Sequence, residues 1–266
     1  MTTASKSSVR VLQQFQASGK DFSIFFGRRT FDRDAKLLVL DSSFNPPHWA
    51  HYNLVQSAFE HYKAQNLHVL LLLSVNNADK KPQPASFDER MDMMMLMAQL
   101  LTRNFIPTSA ALTVFGKFAQ KSAAIHQELG ATLPLVYLVG FDTLIRIFDA
   151  KYYIPHAPAE ALKDFMTTTQ FYCLTRGASG LSESDQATFV DDIKQGRYEP
   201  NIPSSWHSKL VIENSKDEYS DISSSSIRQK IAHADDTVRS LLPGPIFDYI
   251  KQHSQKTSIF GPNPSN

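Results

Sequence analysis

One pattern recurs along the chain: a short apolar run is followed by a longer segment whose apolar residues have helical spacing. The apolar runs predict strands at residues 37–40, 67–73, 110–115, 135–139, 171–174 and 210–212. The helical spacing predicts helices at residues 47–63, 87–103, 117–129 and 142–148. Strands that alternate with helices form a parallel sheet that is covered on both faces. We therefore predict an α/β fold, a doubly wound parallel sheet with a short C-terminal helical segment.

The composition limits the kinds of protein that the chain can be. Its 266 residues, 42% of them hydrophobic, suffice for one substantial core, which we assign to residues 36–253, between an N-terminal extension (1–35) and a loose tail (254–266). A net charge of +1 gives no overall field for nucleic acid, and no apolar run approaches the roughly 20 residues that span a bilayer. The single cysteine, Cys173, indicates a reducing compartment, the cytoplasm or the nucleus. Residues 1–20 contain no Asp or Glu, as in mitochondrial presequences, and a mitochondrial location is therefore the less favoured alternative.

The first motif, SSFNPPHWAH at residues 42–51, follows the first predicted strand directly. In open α/β sheets, ligands bind at the carboxyl ends of the strands, where such loops lie. We expect Asn45 to cap the next helix, and His48 and His51, three residues apart, to share a face of its first turn. Two imidazoles beside a helix N-terminus can neutralise a phosphate. The alternatives are exposed histidines or a metal site, but no nearby cysteine or carboxylate completes a zinc set, and we predict no metal ligands.

The second motif, ISSSSIR at residues 222–228, comes before another helical pattern. Serines are poor residues inside a helix but good caps, so these hydroxyls and backbone N–H groups would lie at a second helix N-terminus. Arg228 lies one turn beyond Ser224 and adds a forked cation suited to phosphate. A serine-rich turn with a surface arginine is the alternative interpretation. Because both motifs come before helices of the same α/β fold, we predict that the two helix N-termini form one site. One would bind the reacting phosphate and the other the departing pyrophosphate.

Together the two motifs resemble those of the HIGH-type nucleotidylyltransferase superfamily, and most of all the nicotinamide/nicotinate mononucleotide adenylyltransferases of the fungal-type branch. That family's pattern reads approximately G-[ST]-F-[DN]-P-x-H-x-G-H, with ISS-[ST]-x-[IV]-R near the C-terminus. The resemblance covers residues 37–251 and implies the Rossmann-like nucleotidylyltransferase fold. It also implies an enzyme that transfers the adenylyl group of ATP to nicotinamide mononucleotide. We expect Mg²⁺ to arrive with ATP, because the sequence offers no dedicated carboxylate cage, and the charge and hydropathy predict neither nucleic acid nor membrane as a partner.

The resemblance implies roles for particular residues. His48, His51 and Arg228 would be catalytic. ATP would be bound by Ser43, Phe44, His48, His51, Lys81 (or, less closely matched, Lys80), Gly140, Asp142, Ser223, Ser224, Ser225 and Arg228. The mononucleotide would be bound by Ser43, Phe44, Tyr153 and Arg176.

Three residues depart from the family's pattern. Ser42 and Ala50 replace glycines, and Tyr153 stands where relatives often have tryptophan. These changes leave the reaction class intact but keep other phosphorylated acceptors open, and also a relict regulatory protein that binds or hydrolyses ATP. No side chain is placed as an activated nucleophile, so we expect direct in-line attack without a covalent intermediate. Preference between the amide and acid mononucleotides and the oligomeric state are left open.

Overall fold

The computed structural model describes residues 3–75, 85–175, 183–254 and 259–260, and seven strands of these ranges form one sheet. The strands are β1 (Phe22–Phe26), β2 (Lys36–Asp41), β3 (Leu67–Ser74), β4 (Thr108–Thr113), β5 (Leu135–Gly140), β6 (Thr169–Leu174) and β7 (Leu210–Glu213). They lie in the order β1-β4-β3-β2-β5-β6-β7, and all neighbours are parallel except β1, which runs antiparallel to β4 at one edge. The strand order reverses between β2 and β5, and such a switch point leaves a crevice at the carboxyl ends of the two strands.

Helices connect the strands and cover both faces of the sheet. Those of the described ranges are α1 (Thr3–Ala17), α2 (Trp49–His61), α3 (Phe87–Arg103), α4 (Phe118–Leu129), α5 (Phe141–Phe148), α6 (Pro158–Ala161), α7 (Phe165–Thr168), α8 (Glu183–Lys194), α9 (Asp217–Ser220), α10 (Ser224–Ala232), α11 (Val238–Leu241) and α12 (Gly244–His253). Short 3₁₀ segments lie at Ala150–Tyr152 and Ser204–Lys209. Among these helices, none is long and apolar enough to cross a membrane.

The core lies on both sides of the sheet because alternate residues of a strand point to opposite faces. Leu38 and Leu40 of β2 belong to one buried cluster, with side chains of α2, α3 and α12. Leu37 and Val39 belong to the other cluster, with side chains of α4, α5 and α8. All eight residues of β3 are buried, as expected of a central parallel strand. The predicted α/β class and doubly wound sheet are therefore confirmed.

The predicted strands and helices match closely, but β1, α1 and α8 were not among them, and one predicted cap was wrong. The predicted helix at 87–103 has the observed bounds, and Ser86 and Glu89 form its capping box. The strand β1 was missed, because a five-residue apolar run inside the presumed N-terminal extension has no period that marks a strand. The expected cap at Asn45 was wrong: His48 is the N-cap of α2. The Asn45 Oδ1 atom instead accepts a hydrogen bond from the N–H of Ala85 at 3.3 Å.

Candidate active site

The loop after β2 is held tightly against the core. Ser42 continues the strand pairing, since its N–H donates to the carbonyl of Leu72 at 3.2 Å. Two residues later, Phe44 is fully buried and has a positive φ of 46°, which is uncommon for an aromatic residue. Its ring lies 5.6 Å from that of His51, measured between centroids. The buried ring of Phe44 therefore anchors the loop at the carboxyl end of β2, next to the first turn of α2.

The two motif histidines lie together at the start of α2. Their ring centroids are 3.8 Å apart, and His48 is 3% exposed. The backbone N–H of His48 donates to Nδ1 of His51 at 3.2 Å. The other ring nitrogen, Nε2, lies 3.0 Å from Oγ of Ser42. The imidazole of His51 is therefore held on both sides beside a helix N-terminus, where the macrodipole favours an anion.

The fold joins the second motif to the first. Ser223 caps α10 by accepting a hydrogen bond from the N–H of Ser226 at 3.1 Å. The hydroxyl of Ser224 donates to the carbonyl of Pro46 at 2.9 Å. The guanidinium of Arg228 donates to the carbonyl of Asn45 at 2.9 Å and to Oγ of Ser225 at 3.1 Å. Motifs that lie about 180 residues apart in sequence thus meet through direct hydrogen bonds.

A cavity of about 1070 Å³ opens beside this junction. Its wall includes Ser42 and Ser43 from the first motif and Tyr153 from the segment after α5. Basic side chains reach it from three helices: Arg90 of α3, Lys117 and Lys121 at the start of α4, and Arg146 of α5. The only acidic residue in the described part of its wall is Asp41. The cavity is therefore suited to an anionic ligand.

Asp41 and Lys121 form an ion pair inside the cavity wall. Oδ2 of Asp41 accepts a hydrogen bond from Nζ of Lys121, and the two side chains are 12% and 3% exposed. Burial raises the pKa of Asp41, while the charge and hydrogen bond of Lys121 act in the opposite direction. Sequence reasoning missed this pair, although Asp41 directly precedes the first motif. The partner comes from a helix 80 residues away, and no local pattern indicates that contact.

Arg90 is a second residue that the sequence did not single out as functional. It is 8% exposed, and its Nε donates to the carbonyl of Ala85 at 2.9 Å. The pKa of Arg90 is lowered by burial and then by the positive charge of Arg228, with Glu89 acting in the opposite direction. Burial also lowers the pKa of Arg228. Arg90 lines the cavity and is repelled by the nearby Arg228, so a bound anion would stabilise both guanidiniums.

The other predicted residues lie at different places around the site. The hydroxyl of Tyr153 donates to the carbonyl of Ile147 at 2.6 Å, and burial raises the pKa of Tyr153 to about 12, so the phenol stays neutral. Gly140 is the N-cap of α5, and Asp142 lies in the first turn of that helix. Lys81, its alternative Lys80, and Arg176 lie outside the described residues. Within the described ranges, no group of three or more His, Cys, Asp or Glu side chains could hold a metal ion.

Comparisons with known proteins agree with this architecture. The family model described as cytidylyltransferase-like matches residues 39–230. A Schizosaccharomyces pombe protein named as a nicotinamide mononucleotide adenylyltransferase is 37% identical over 248 residues, which cover 92% of this chain and 95% of the relative. A nicotinamide/nicotinic acid mononucleotide adenylyltransferase of Arabidopsis thaliana is 24% identical over 247 residues, 88% of this chain and 95% of the relative.

Solved structures support the fold. The nicotinic acid mononucleotide adenylyltransferase of Plasmodium falciparum, complexed with NaAD, superposes with a TM-score of 0.58 at 15% sequence identity. The match covers 83% of this chain and 97% of that chain. The nucleotidylyltransferase type of the sheet, implied by the motifs, is thus confirmed.

Proposed function

Because this chain belongs to the cytidylyltransferase-like family and, within it, to the nicotinamide/nicotinate mononucleotide adenylyltransferases, we propose that it joins ATP and nicotinamide mononucleotide to give NAD and pyrophosphate. One observation carries the proposal: Ser224 and Arg228 bond the carbonyls of Pro46 and Asn45, which brings two phosphate-suited helix starts together beside a basic cavity. A site for a triphosphate and a phosphorylated acceptor needs both features.

The proposed reaction is a direct in-line displacement. A phosphate oxygen of the mononucleotide attacks the α-phosphorus of ATP, and a new P–O bond forms. The bond from that phosphorus to the oxygen bridging to the β-phosphate breaks, and the electron pair leaves with pyrophosphate. A phosphate monoester is largely ionised near neutral pH, so no general base is required. Catalysis then rests on positioning and on stabilising the charge of the transition state.

In this proposal the two helix starts take different phosphates. His48 and His51, at the start of α2, would stabilise the α-phosphate as its charge develops. Ser223, Ser224, Ser225 and Arg228, at the start of α10, would hold the β- and γ-phosphates. Because Arg228 also bonds the Asn45 carbonyl, it would fix the distance between the two groups.

The acceptor mononucleotide would occupy the cavity. Its phosphate would meet the basic side chains of Arg90, Lys117 and Arg146, while Ser43 and Tyr153 would contact the rest of the molecule. Gly140 and Asp142, next to this wall, are assigned to the ATP ribose, and Phe44 supports both sites from the core. Lys81 and Arg176 keep the phosphate-binding roles that the motifs imply.

Magnesium belongs to the substrate rather than to a resident metal site in this proposal. The one carboxylate of the described cavity wall, Asp41, is already paired with Lys121. Mg²⁺ characteristically keeps several waters and binds substrate phosphates. We therefore expect it to enter and leave as the ATP complex. We further propose that the reaction takes place in the cytoplasm or nucleus, with the mitochondrion as the lesser alternative.

The test is NAD formation by the purified protein with Mg-ATP and nicotinamide mononucleotide, coupled to alcohol dehydrogenase. Arg228→Met removes the hydrogen bond to the Asn45 carbonyl, which joins the motifs, and the one to Ser225 Oγ, and we expect kcat to fall about a hundredfold. Arg239→Met, an exposed arginine of α11 over the Phe247 ring, is the matched control and should retain the rate. If the protein used nicotinate mononucleotide but not nicotinamide mononucleotide, the reaction class would hold and the proposed acceptor would be wrong. Pyrophosphate or ADP release that needs no mononucleotide would refute the proposal.

A further inference from the structure

Ser42 links His51 to the cavity. It lines the cavity wall, and its Oγ lies 3.0 Å from Nε2 of His51. The strand-like hydrogen bond from its N–H to the carbonyl of Leu72 fixes its backbone. The family's pattern has glycine at this position, so the hydroxyl is a feature of this chain that the family's known site does not contain.

The hydrogen bonds of His51 determine which group donates to Ser42. Nδ1 of His51 accepts from the backbone N–H of His48, so in the neutral ring this nitrogen carries no hydrogen. The proton of the neutral ring is therefore on Nε2, and Nε2–H donates to Oγ of Ser42. A serine hydroxyl has one O–H to donate, and that O–H remains available. Within the described residues, Ser42 Oγ makes no other hydrogen bond than the one to His51.

We infer that Ser42 is a substrate-contacting residue whose hydroxyl donates to the α-phosphate of ATP. This inference rests on the proposed adenylyl transfer. The His48 amide donates to His51, His51 donates to Ser42, and Ser42 donates to the phosphate oxygen. Each group keeps its own proton, so the chain stabilises charge without transferring hydrogen. Aligned hydrogen bonds polarise one another, and the last donor is stronger than an isolated hydroxyl.

The competing interpretation is that Ser42 only fills a turn or restrains the imidazole. If Ser42 only fills a turn, replacing it should change the Tm, and kcat should not depend on whether the new side chain carries a hydroxyl. A restraint on His51 needs only an acceptor, and its proton would point away from any ligand. The contact role requires a hydroxyl proton at the cavity wall, which serine and threonine supply and alanine does not. Alanine also removes the acceptor of His51, so the kinetic comparison excludes the turn filler, and the affinity for Mg-ATP separates contact from restraint.

The test compares Ser42→Ala with Ser42→Thr. The matched control is Ser208→Ala, because Ser208 is exposed and its Oγ donates to the carbonyl of Ser205. We expect Ser42→Ala to lower kcat about tenfold to a hundredfold, the range for one hydrogen bond to a charged group, without changing Tm. Ser42→Thr should retain most of the rate, and Ser208→Ala all of it. A wild-type rate in Ser42→Ala, or equal losses in the alanine and threonine variants, would overturn the inference.

Two further measurements keep this result separate from the proposed function. Calorimetric titration with Mg-ATP should show binding about twofold to tenfold weaker in Ser42→Ala than in the wild type, whether or not NAD is formed. If the wild type made no NAD but its affinity for Mg-ATP still exceeded that of Ser42→Ala, the proposed reaction would be wrong and the contact between Ser42 and ATP would be supported. Equal affinities would refute that contact.

Nitrogen-15 NMR of the histidine rings, assigned with His51→Ala, should show His51 protonated on Nε2. A ring protonated on Nδ1 would make Ser42 the donor to His51 and would refute the inference.

Discussion

Two serine–histidine pairs lie at opposite ends of the sheet. At the carboxyl end, His51 Nε2 lies 3.0 Å from Ser42 Oγ, beside the cavity. At the amino end, His68 Nε2 of β3 lies 2.8 Å from Ser109 Oγ of β4. The hydroxyl of Ser109 donates to the carbonyl of Arg28 at 2.9 Å, so the His68 pair ends on the protein's own backbone.

The difference between the pairs lies in where the hydroxyl proton points. Ser109 is fully buried and His68 is 6% exposed, and the His68 ring packs edge-on against Phe31. Nε2 of His68 and the hydroxyl of Ser109 each have a hydrogen-bond partner within the protein. His68 borders a smaller cavity of about 500 Å³, but the hydroxyl of its partner Ser109 is already bonded to the backbone. Ser42 instead lines the larger cavity itself, and there a ligand can accept its hydroxyl proton. The same two residue types therefore stabilise the fold at one end of the sheet and, in our account, act on substrate at the other.

The largest expected effect comes from removing each histidine in turn. His51→Ala should lower kcat of NAD formation about 100- to 1000-fold, the cost of losing one preorganised interaction with the transition state, which in our inference reaches the phosphate through Ser42. His68→Ala should leave kcat of the folded protein unchanged and lower the free energy of unfolding by about 1–3 kcal/mol, because Ser109 loses a buried partner. Steady-state kinetics with urea unfolding of both variants makes the measurement. An equal loss of kcat in His51→Ala and His68→Ala would contradict the different roles assigned to the two pairs.

A smaller effect should appear in the pH dependence of stability. Burial, and then the positive charge of Arg28, lowers the pKa of His68 to about 4. Between pH 6.5 and 4 the unfolded chain binds a proton that the folded protein excludes, so stability is lost as the pH falls through this window. From pH 7.5 to 4.5 we expect the His68 contribution to reduce the free energy of unfolding by about 2 kcal/mol. His68→Gln keeps an N–H donor without the titration and should lose that much less; identical profiles for wild type and variant would contradict the assignment.

The smallest expected effect concerns a third hydroxyl, that of Tyr153 in the cavity wall. Like Ser109, it donates to a backbone carbonyl, that of Ile147 at 2.6 Å. Tyr153→Phe keeps the ring and loses one hydrogen bond of about 1 kcal/mol. Without that bond the ring is held less firmly in the cavity wall, so we expect KM for nicotinamide mononucleotide to rise by at most about fivefold and KM for ATP to stay constant. Tyr198→Phe, a partly exposed tyrosine packed on Phe189, is the control; a change in KM for ATP instead would place Tyr153 on the other substrate.

The comparison also explains what the sequence could predict. Six of the strands and the helices α2 to α5 were visible because parallel strands buried on both faces leave continuous apolar runs between helical patterns. The strand β1 was not visible, since its pairing with β4 is a long-range contact of a short, aperiodic run. The first motif was visible because Ser43 to His51 lie within one loop and one helix turn.

Other parts of the site depend on tertiary contacts. The pairing of Asp41 with Lys121 and the approach of Arg90 to Arg228 join residues from separate helices and strands. His68 and His51 have the same side chain. Local sequence alone does not reveal that the serine partner of His68 is already bonded to the backbone carbonyl of Arg28. The fold decides which polar groups satisfy one another and which remain for a ligand.

The central claim, direct adenylyl transfer, is tested most directly by a single turnover with ATP labelled at the α-phosphate. The enzyme is mixed with this ATP, Mg²⁺ and nicotinamide mononucleotide, quenched with acid at successive times, and the label is followed in nucleotides and protein. The account predicts that the label passes from ATP into NAD without appearing on the protein, and only when the mononucleotide is present. Label on the protein would contradict the direct displacement, and label in AMP or ADP without the mononucleotide would identify an ATP-hydrolysing protein instead.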